Sequence, residues 1–373
     1  FFKNTKLHVN SNDELVQAHL LMGFTTASLL KLLQHDCISG LHPGLTQRVV
    51  EEYKKNNGTN PDLIQLANPH HWPIRGSGLR GPKEIPDLPG NFIQIDAFIS
   101  PYVDLTTTPT TKLAALGGAQ FCFVSVCVAT GRIYVILAES SKYPLVIIQR
   151  VVHEAQRNGY TVHKLAADQG ILPISPTEAQ PTLTDMFCLR EGIHTRVSVP
   201  REHNSETALV ENRIRAIEQL INMATTYIIT SPHFHVLGFS ERQIYQCWGL
   251  LAIWASTILS LQPCTRQPTM TVYEAYYGKA PNIQSIRILP IFSILLTTVK
   301  PGTQVRSLSN ITETITVGNN NIQAVIGVYL GPVLDTPSAI KIAYIDKANN
   351  VQIVHTSNYS TPTQGHAFDI HLG

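Results

Sequence analysis

Charge is scarce in this sequence. Lys, Arg, Asp and Glu make up 14% of 373 residues, hydrophobic residues 43%, and the formal net charge is +2. So little charge excludes a self-repelling, disordered chain and favours folded domains with buried cores. It also excludes a uniformly basic surface, so any nucleic-acid-binding patch has to be local. A basic run long enough to serve as a nuclear-import signal is missing. Cysteine is sparse too: Cys37, Cys122, Cys127, Cys188, Cys247 and Cys264 are scattered, with no CxxC pair. That excludes a sequence-evident disulfide framework and reads as reduced core thiols of an intracellular protein. No apolar run reaches bilayer length; "CWGLLAIWASTILSL" carries Ser and Thr and reads as a buried helix, so no membrane partner is expected. Neither a signal peptide nor an internal repeat is evident.

What is present divides into an N-terminal helical domain, a central α/β domain and a C-terminal β domain. Residues 1–70 read as helical, with "NDELVQAHLLMG", "TTASLLKLLQHD" and "GLTQRVVEEYKKN" as amphipathic segments. Thr25 or Thr26 is the expected cap of the second. Residues 71–90 are rich in Pro and Gly and read as a linker carrying Arg75, Arg80 and Lys83. Residues 91–262 form the central domain. "NFIQIDAFI" alternates as a strand does, and "AQFCFVSVCVAT" and "RIYVILAES" form a hairpin about Gly131. A helix ending at Gly159, the strand of "TVHKLAADQG", a helix in "PTLTDMFCLREGI" and the strand "HTRVSVP" follow. "TALVENRIRAIEQL" begins a helix, and "SERQIYQCWGLLAIWASTILSL" reads as one long buried helix. This order predicts a mixed five-stranded sheet of the RNase H-like kind. Residues 263–284 are a connector. Residues 285–373 read as short strands, with a hairpin at "DKANN" and a small β-barrel as the expected architecture.

Three acids stand out in this frame. Asp96 is read as ending the first central strand, Asp168 as lying just past the fourth, and Glu211 in the first turns of the helix after the fifth. Singly, each has an ordinary explanation: a strand-end cap, a turn residue before Gly170, a solvated helix charge. Two strand-end aspartates and a helical glutamate, in that order, are what two-metal phosphoryl transfer requires. Their hard oxygen donors suit Mg²⁺ or Mn²⁺.

At these residues the chain resembles the integrases of copia-type LTR retrotransposons. "QIDAF", "AADQG" and "ETALVENRIRAIEQL" resemble the three catalytic blocks, with Glu211 at the place of the glutamate. "TRQPTMTVYEAYYGKAPNIQSIRIL" and "AVIGVYLGPVLDTPSAIKIAYIDKANNVQIVHTSNY" resemble the two blocks that follow. The likeness extends over nearly the whole chain. It implies a Mg²⁺-dependent DDE polynucleotidyl transferase that joins element-end DNA 3′-hydroxyls to target DNA. It implies a homo-oligomer, since two DNA ends are joined, and a nuclear protein with an earlier cytoplasmic virus-like-particle stage. Arg213 and Arg215, after Glu211, are candidate phosphate contacts. His203 and Asn204, in "REHNSE", are candidates for positioning the DNA end. Arg75, Arg80 and Lys83 could track a phosphate backbone; for all of these the plain alternative is solvated surface.

The chain also departs from that family. The family's N-terminal domain holds zinc through two His and two Cys. Here His19 takes the first position, Phe24 stands near the second, and "LANPHHWPI" lacks the cysteines. His19, His70, His71 and Cys37 are the remaining donors, but adjacent His70 and His71 diverge in extended chain. Apolar packing rather than zinc is therefore expected to hold the helices. After Asp168 the turn reads "QGILPIS", with Gly170 alone in place of the family's glycine pair. Two other functions stay open: a catalytically inactive relative serving as a DNA-binding or architectural module, and an RNase H-like nuclease with no joining role. A Mg²⁺-dependent strand-transfer assay discriminates among them.

Overall fold

A computed structural model describes residues 12–57, 88–106, 110–172, 181–198, 207–231, 238–299, 314–317, 320–333, 336 and 338–360. Three helices come first: α1 (Asn12–Leu21), α2 (Thr26–His35) and α3 (Gln47–Asn57). Thr25 caps α2, accepting from the Ser28 N–H while the Ser28 hydroxyl accepts from the Thr25 N–H. Leu15, Val16, Phe24, Leu29, Leu32, Val50 and Tyr53 are buried, which is the apolar packing expected of the segment.

The central sheet contains β1 (Phe92–Ile99), β4 (Phe121–Cys127), β5 (Ile133–Ala138), β6 (Lys164–Asp168) and β7 (His194–Ser198). A two-residue-per-strand hairpin, β2 (Val103–Asp104) and β3 (Thr111–Lys112), lies between β1 and β4. The order across the sheet is β5-β4-β1-β6-β7. β4 is antiparallel to β1 and β5, while β6 is parallel to β1 and β7. The mixed five-stranded sheet expected from the sequence is therefore present. Helices α4 (Pro144–Arg157) and α5 (Leu183–Arg190) cover one face. Helices α6 (Ala208–Thr230) and α8 (Trp248–Ser260) cover the other.

Strand alternation assigns residues to these faces. In β1, Ile93 and Ile95 pack with Ile148, Val151 and Leu165 beneath α4. Gln94, Asp96 and Phe98 then share the α6 face, and Phe98 joins the core on that side. In β6, Leu165 and Ala167 face α4, so Asp168 faces α6.

One helix expected to be continuous is broken. α7 (Glu241–Gln246) and α8 meet at Cys247, which ends the first and precedes the second. α8 is buried nearly all round, with Trp248, Leu251, Trp254, Ala255 and Ile258 inaccessible. Two short helices, α9 (Val272–Tyr277) and α10 (Ile283–Ile286), lead to the C-terminal strands.

Those strands are β8 (Ile294–Val299), β9 (Thr314–Val317), β10 (Asn320–Pro332), β11 (Ile340–Ile345), β12 (Val351–Thr356) and β13 (Tyr359–Ser360). They form a sheet in the order β12-β11-β10-β8-β13, with β9 on β10. The expected barrel is not closed: among the described residues no ladder joins β12 to β13. The sheet is nonetheless rolled. Ser357 and Asn358 alone connect its two edge strands, a reach of about 11 Å, whereas the edges of a flat five-strand row stand about 19 Å apart.

The described N-terminal, central and C-terminal elements share one core. One hydrophobic cluster runs from Leu15, Phe24 and Leu32 through Val124, Ile217 and Trp254 to Leu295, Tyr329 and Ile342. Polar links join the same elements. The Ile291 N–H donates to the Leu21 carbonyl (3.2 Å) and the Cys37 Sγ–H to the Thr269 carbonyl (3.1 Å). All six cysteines are free and buried. Among the described residues, no single helix is long and apolar enough to cross a membrane.

Candidate active site

Asp96 and Asp168 are neighbours across a parallel strand pair. The paired register ends with Gln94 opposite Ala166; Asp96 and Asp168 each lie two residues beyond it on the α6 face, Asp168 closing β6 and Asp96 inside β1, three residues before its end and not at the end as expected. Asp96 is half-buried, and its Oδ1 accepts from the Ala97 N–H at 2.7 Å. Burial pushes its carboxyl up to about 6 against the pull of that bond, and the charges of Asp168 and Glu211 add to the rise. Asp168 is exposed. Its Oδ1 accepts from the Ile171 N–H (3.1 Å), and a Cβ on Gly170 would lie 3.4 Å from the same oxygen. That is ordinary contact distance, so the turn would accept a side chain at this position.

Glu211 sits in the first turn of α6. Its Oε1 accepts from the Thr207 hydroxyl at 3.0 Å, and its Oε2 lies 3.9 Å from the Arg215 guanidinium. The preceding residue, Val210, donates its N–H to Gln94 Oε1 at 3.1 Å. Helix α6 is thereby tied to the strand that carries Asp96. Gln94 and Thr207 were not among the residues the sequence singled out, though spacing marked both. Gln94 is two residues from Asp96 on the same strand face, and Thr207 is one helical turn before Glu211.

The donor set is all oxygen, the chemistry that Mg²⁺ and Mn²⁺ take, and a divalent cation would relieve the crowding of negative charge on Asp96. Among the described residues, however, no three His, Cys, Asp or Glu side chains converge closely enough to hold one ion as they stand. Glu211 is engaged by Thr207 and Arg215 on its own helix. The donor chemistry fits the metal; a ligand cage is not closed.

The two arginines part company. Arg215 is exposed, and donates to Asn212 Oδ1 (3.5 Å). Arg213 turns inward beneath the β4–β5 turn, where its Nη2 lies 2.9 Å from the position of a Cβ on Gly131. Its Nε is buried with no hydrogen-bond partner among the described residues, and burial lowers its guanidinium pKa. Arg213 is thereby drawn in against the Gly131 turn, whereas Arg215 stands in solvent. Residues two apart on a helix are separated by about 200°, so Arg213 cannot share the face of Glu211 and Arg215. His203, Asn204, Arg75, Arg80 and Lys83 lie outside the described residues.

Of the possible zinc donors, His70 and His71 also lie outside the described residues. His19 is buried, its Nδ1–H donates to the Leu15 carbonyl (2.8 Å), and burial lowers its pKa. Cys37 is committed to the Thr269 carbonyl. Chelation is therefore expected to leave α1–α3 folded, because their apolar core supplies the stability that metal supplies to a zinc finger. Loss of far-ultraviolet helix signal in EDTA, with stoichiometric zinc in the purified protein, would contradict this.

Compared with known proteins, the chain matches no family model and no curated sequence.

Proposed function

We propose that this chain is a Mg²⁺- or Mn²⁺-dependent polynucleotidyl transferase with an RNase H-like core, an integrase of the copia-type retrotransposon kind. One observation carries the reading: Asp96 and Asp168 lie on adjacent parallel strands, on the face covered by the helix of Glu211. Asp96 and Asp168 would hold the metal, and Glu211 would complete its shell after leaving Arg215. Bound metal would activate the attacking oxygen and stabilise the leaving one. In joining, a DNA 3′-hydroxyl attacks and a phosphodiester in the target breaks, releasing a target 3′-hydroxyl; if ends are trimmed, water attacks and a phosphodiester in the element end breaks. Arg215, exposed one turn beyond Glu211, supplies a guanidinium fork for a neighbouring phosphate. Element-end DNA, target DNA and further copies of the chain are the proposed partners, and the nucleus is the proposed place of action.

The second reading, a catalytically inactive DNA-binding or architectural relative, draws on the unclosed ligand cage. A strand-transfer assay separates the two. The probe is a labelled duplex with randomised terminal bases and a supercoiled target, with Mg²⁺, Mn²⁺ or EDTA. Metal-dependent joined product supports the transferase; DNA retention without product in either metal supports the inactive relative. Metal-dependent cutting without joining points to a nuclease.

DNA affinity across a salt series tests the division between the arginines. Arg215→Ala is expected to flatten the salt dependence by about one unit, the signature of one lost phosphate contact. Arg213→Ala is expected to leave that slope unchanged and to lower the melting temperature, because it empties a buried site under the Gly131 turn. A slope change in Arg213→Ala and none in Arg215→Ala would reverse the assignment.

A further inference from the structure

Six of the described helices are capped by a Ser, Thr or Asn side chain; α4, α6 and α8 are not, and of these three α6 alone begins at a residue of that kind, Thr207. The first turn of a helix leaves N–H groups without intrahelical acceptors, and the capping side chain ordinarily takes one of them. Thr25, Thr46, Thr182, Ser240, Thr271 and Asn282 each do so here, accepting from the N–H three residues ahead. Thr207 begins α6 and makes no such bond. The N–H it would have taken, that of Val210, goes to Gln94 Oε1 on β1. The Thr207 hydroxyl donates instead to Glu211 Oε1. Both Gln94 and Thr207 are buried, at 4% and 5% exposure, where an unmatched polar group would be costly.

We infer that Gln94 and Thr207 are positioning residues for the acidic cluster: Gln94 caps α6 from the strand of Asp96, and this frees Thr207 to hold the Glu211 carboxylate. The inference rests on the metal-dependent reading above. A single bond joins the residue before Glu211 to the residue two before Asp96, so it sets how far along its axis the helix sits against the strand. The Thr207 hydroxyl then sets the direction of the carboxylate. The Val210 bond places the backbone of Glu211 next to the strand of Asp96, and the Thr207 hydroxyl fixes one of its carboxylate oxygens there. Outer-shell groups of this kind orient ligands, and their loss typically weakens metal affinity about 10- to 100-fold.

The test is Mn²⁺ binding to the full chain, followed by electron paramagnetic resonance at a temperature where every variant is folded. Gln94→Met keeps the side-chain length and removes the acceptor; Thr207→Val keeps the shape and removes the hydroxyl; Thr207→Ser keeps the hydroxyl. Gln94→Met and Thr207→Val are expected to weaken Mn²⁺ binding about tenfold or more, with the Mg²⁺ requirement for strand transfer rising in parallel. Thr207→Ser is expected to stay within about twofold of the parent, since the hydroxyl is retained. Lower melting temperatures with parental Mn²⁺ affinity would show a merely structural role and overturn the inference. If Asp96→Asn alone loses Mn²⁺ while Thr207→Val binds as the parent does, the inference falls and the proposed function stands. A parent that binds no Mn²⁺ overturns both. Should Gln94→Met fail to fold, the Thr207→Val and Thr207→Ser pair decides.

Discussion

Asp96→Asn is expected to abolish strand transfer and, in EDTA at pH 8, to melt above the parent protein. The two effects share one cause. Burial, with the charges of Asp168 and Glu211 adding and the Ala97 N–H opposing, lifts the Asp96 carboxyl to about 6. Folding therefore favours its protonated form. That contribution is full below an unfolded carboxylate's value of about 4 and is lost as pH rises through about 6. At pH 8 the metal-free protein carries a half-buried charge that the fold disfavours, and Asn removes it. A shift of about two units corresponds to about 3 kcal/mol; solvent screening of a partly exposed group reduces this to about 1 kcal/mol, a rise of a few degrees at most. Below pH 4 the two proteins should melt together. Mg²⁺ should raise the parent's melting temperature at pH 8 and leave the variant's unchanged, because an amide does not replace a carboxylate ligand. The measurement is a melting series at several pH values, with and without Mg²⁺, beside the strand-transfer assay. Normal transfer by the variant would end the site assignment. A pH-independent difference in melting would end the account of the charge.

Gly327→Ala is expected to have the largest effect on stability. Gly327 lies in β10, paired with Leu295 of β8, and its missing side chain faces β11. A Cβ there would lie 2.4 Å from the Ala343 carbonyl oxygen and 2.5 Å from Ile342 Cγ2. The oxygen belongs to the backbone of a paired strand, so relief requires the sheet itself to shift. Overpacking that side chains cannot absorb costs about 3 kcal/mol or more. The loss should not stay local, because Leu295, Val328 and Ile342 belong to the cluster that holds α8 and the N-terminal helices. A single unfolding transition lowered by about 4 °C or more, or loss of soluble protein, is the expected result. Gly117→Ala is the control. Gly117 has φ +87 and nothing within 4 Å of its Cβ position, so it carries backbone strain without a clash and should cost about 1 kcal/mol. Equal melting of the two variants would refute the close-approach argument.

What was legible in the sequence was local. The alternation of "NFIQIDAFI" places Asp96 and Gln94 opposite Ile93 and Ile95, and the same period places Asp168 opposite Leu165 and Ala167; both patterns require only neighbouring residues. The helical repeat likewise separates Arg213 from Arg215, since a two-residue step turns most of the way to the opposite face. Thr25 was legible as a cap because its partner lies three residues away.

Contacts between distant segments were decided by the tertiary structure. Val210 and Gln94 are 116 positions apart, and nothing in either segment alone says that an N–H of one needs an acceptor from the other. Cys247 interrupts what reads as one apolar helix, and periodicity does not reveal such a break where both halves are buried. Most C-terminal strands were legible individually, though β9 (Thr314–Val317) was not, and their roll follows from the last strand, β13, pairing with the first, β8. Sequence alone therefore determined which residues could face the site. The packing of α6 on β1 decided which of them meet there, because burial leaves each polar group only the partners the fold supplies.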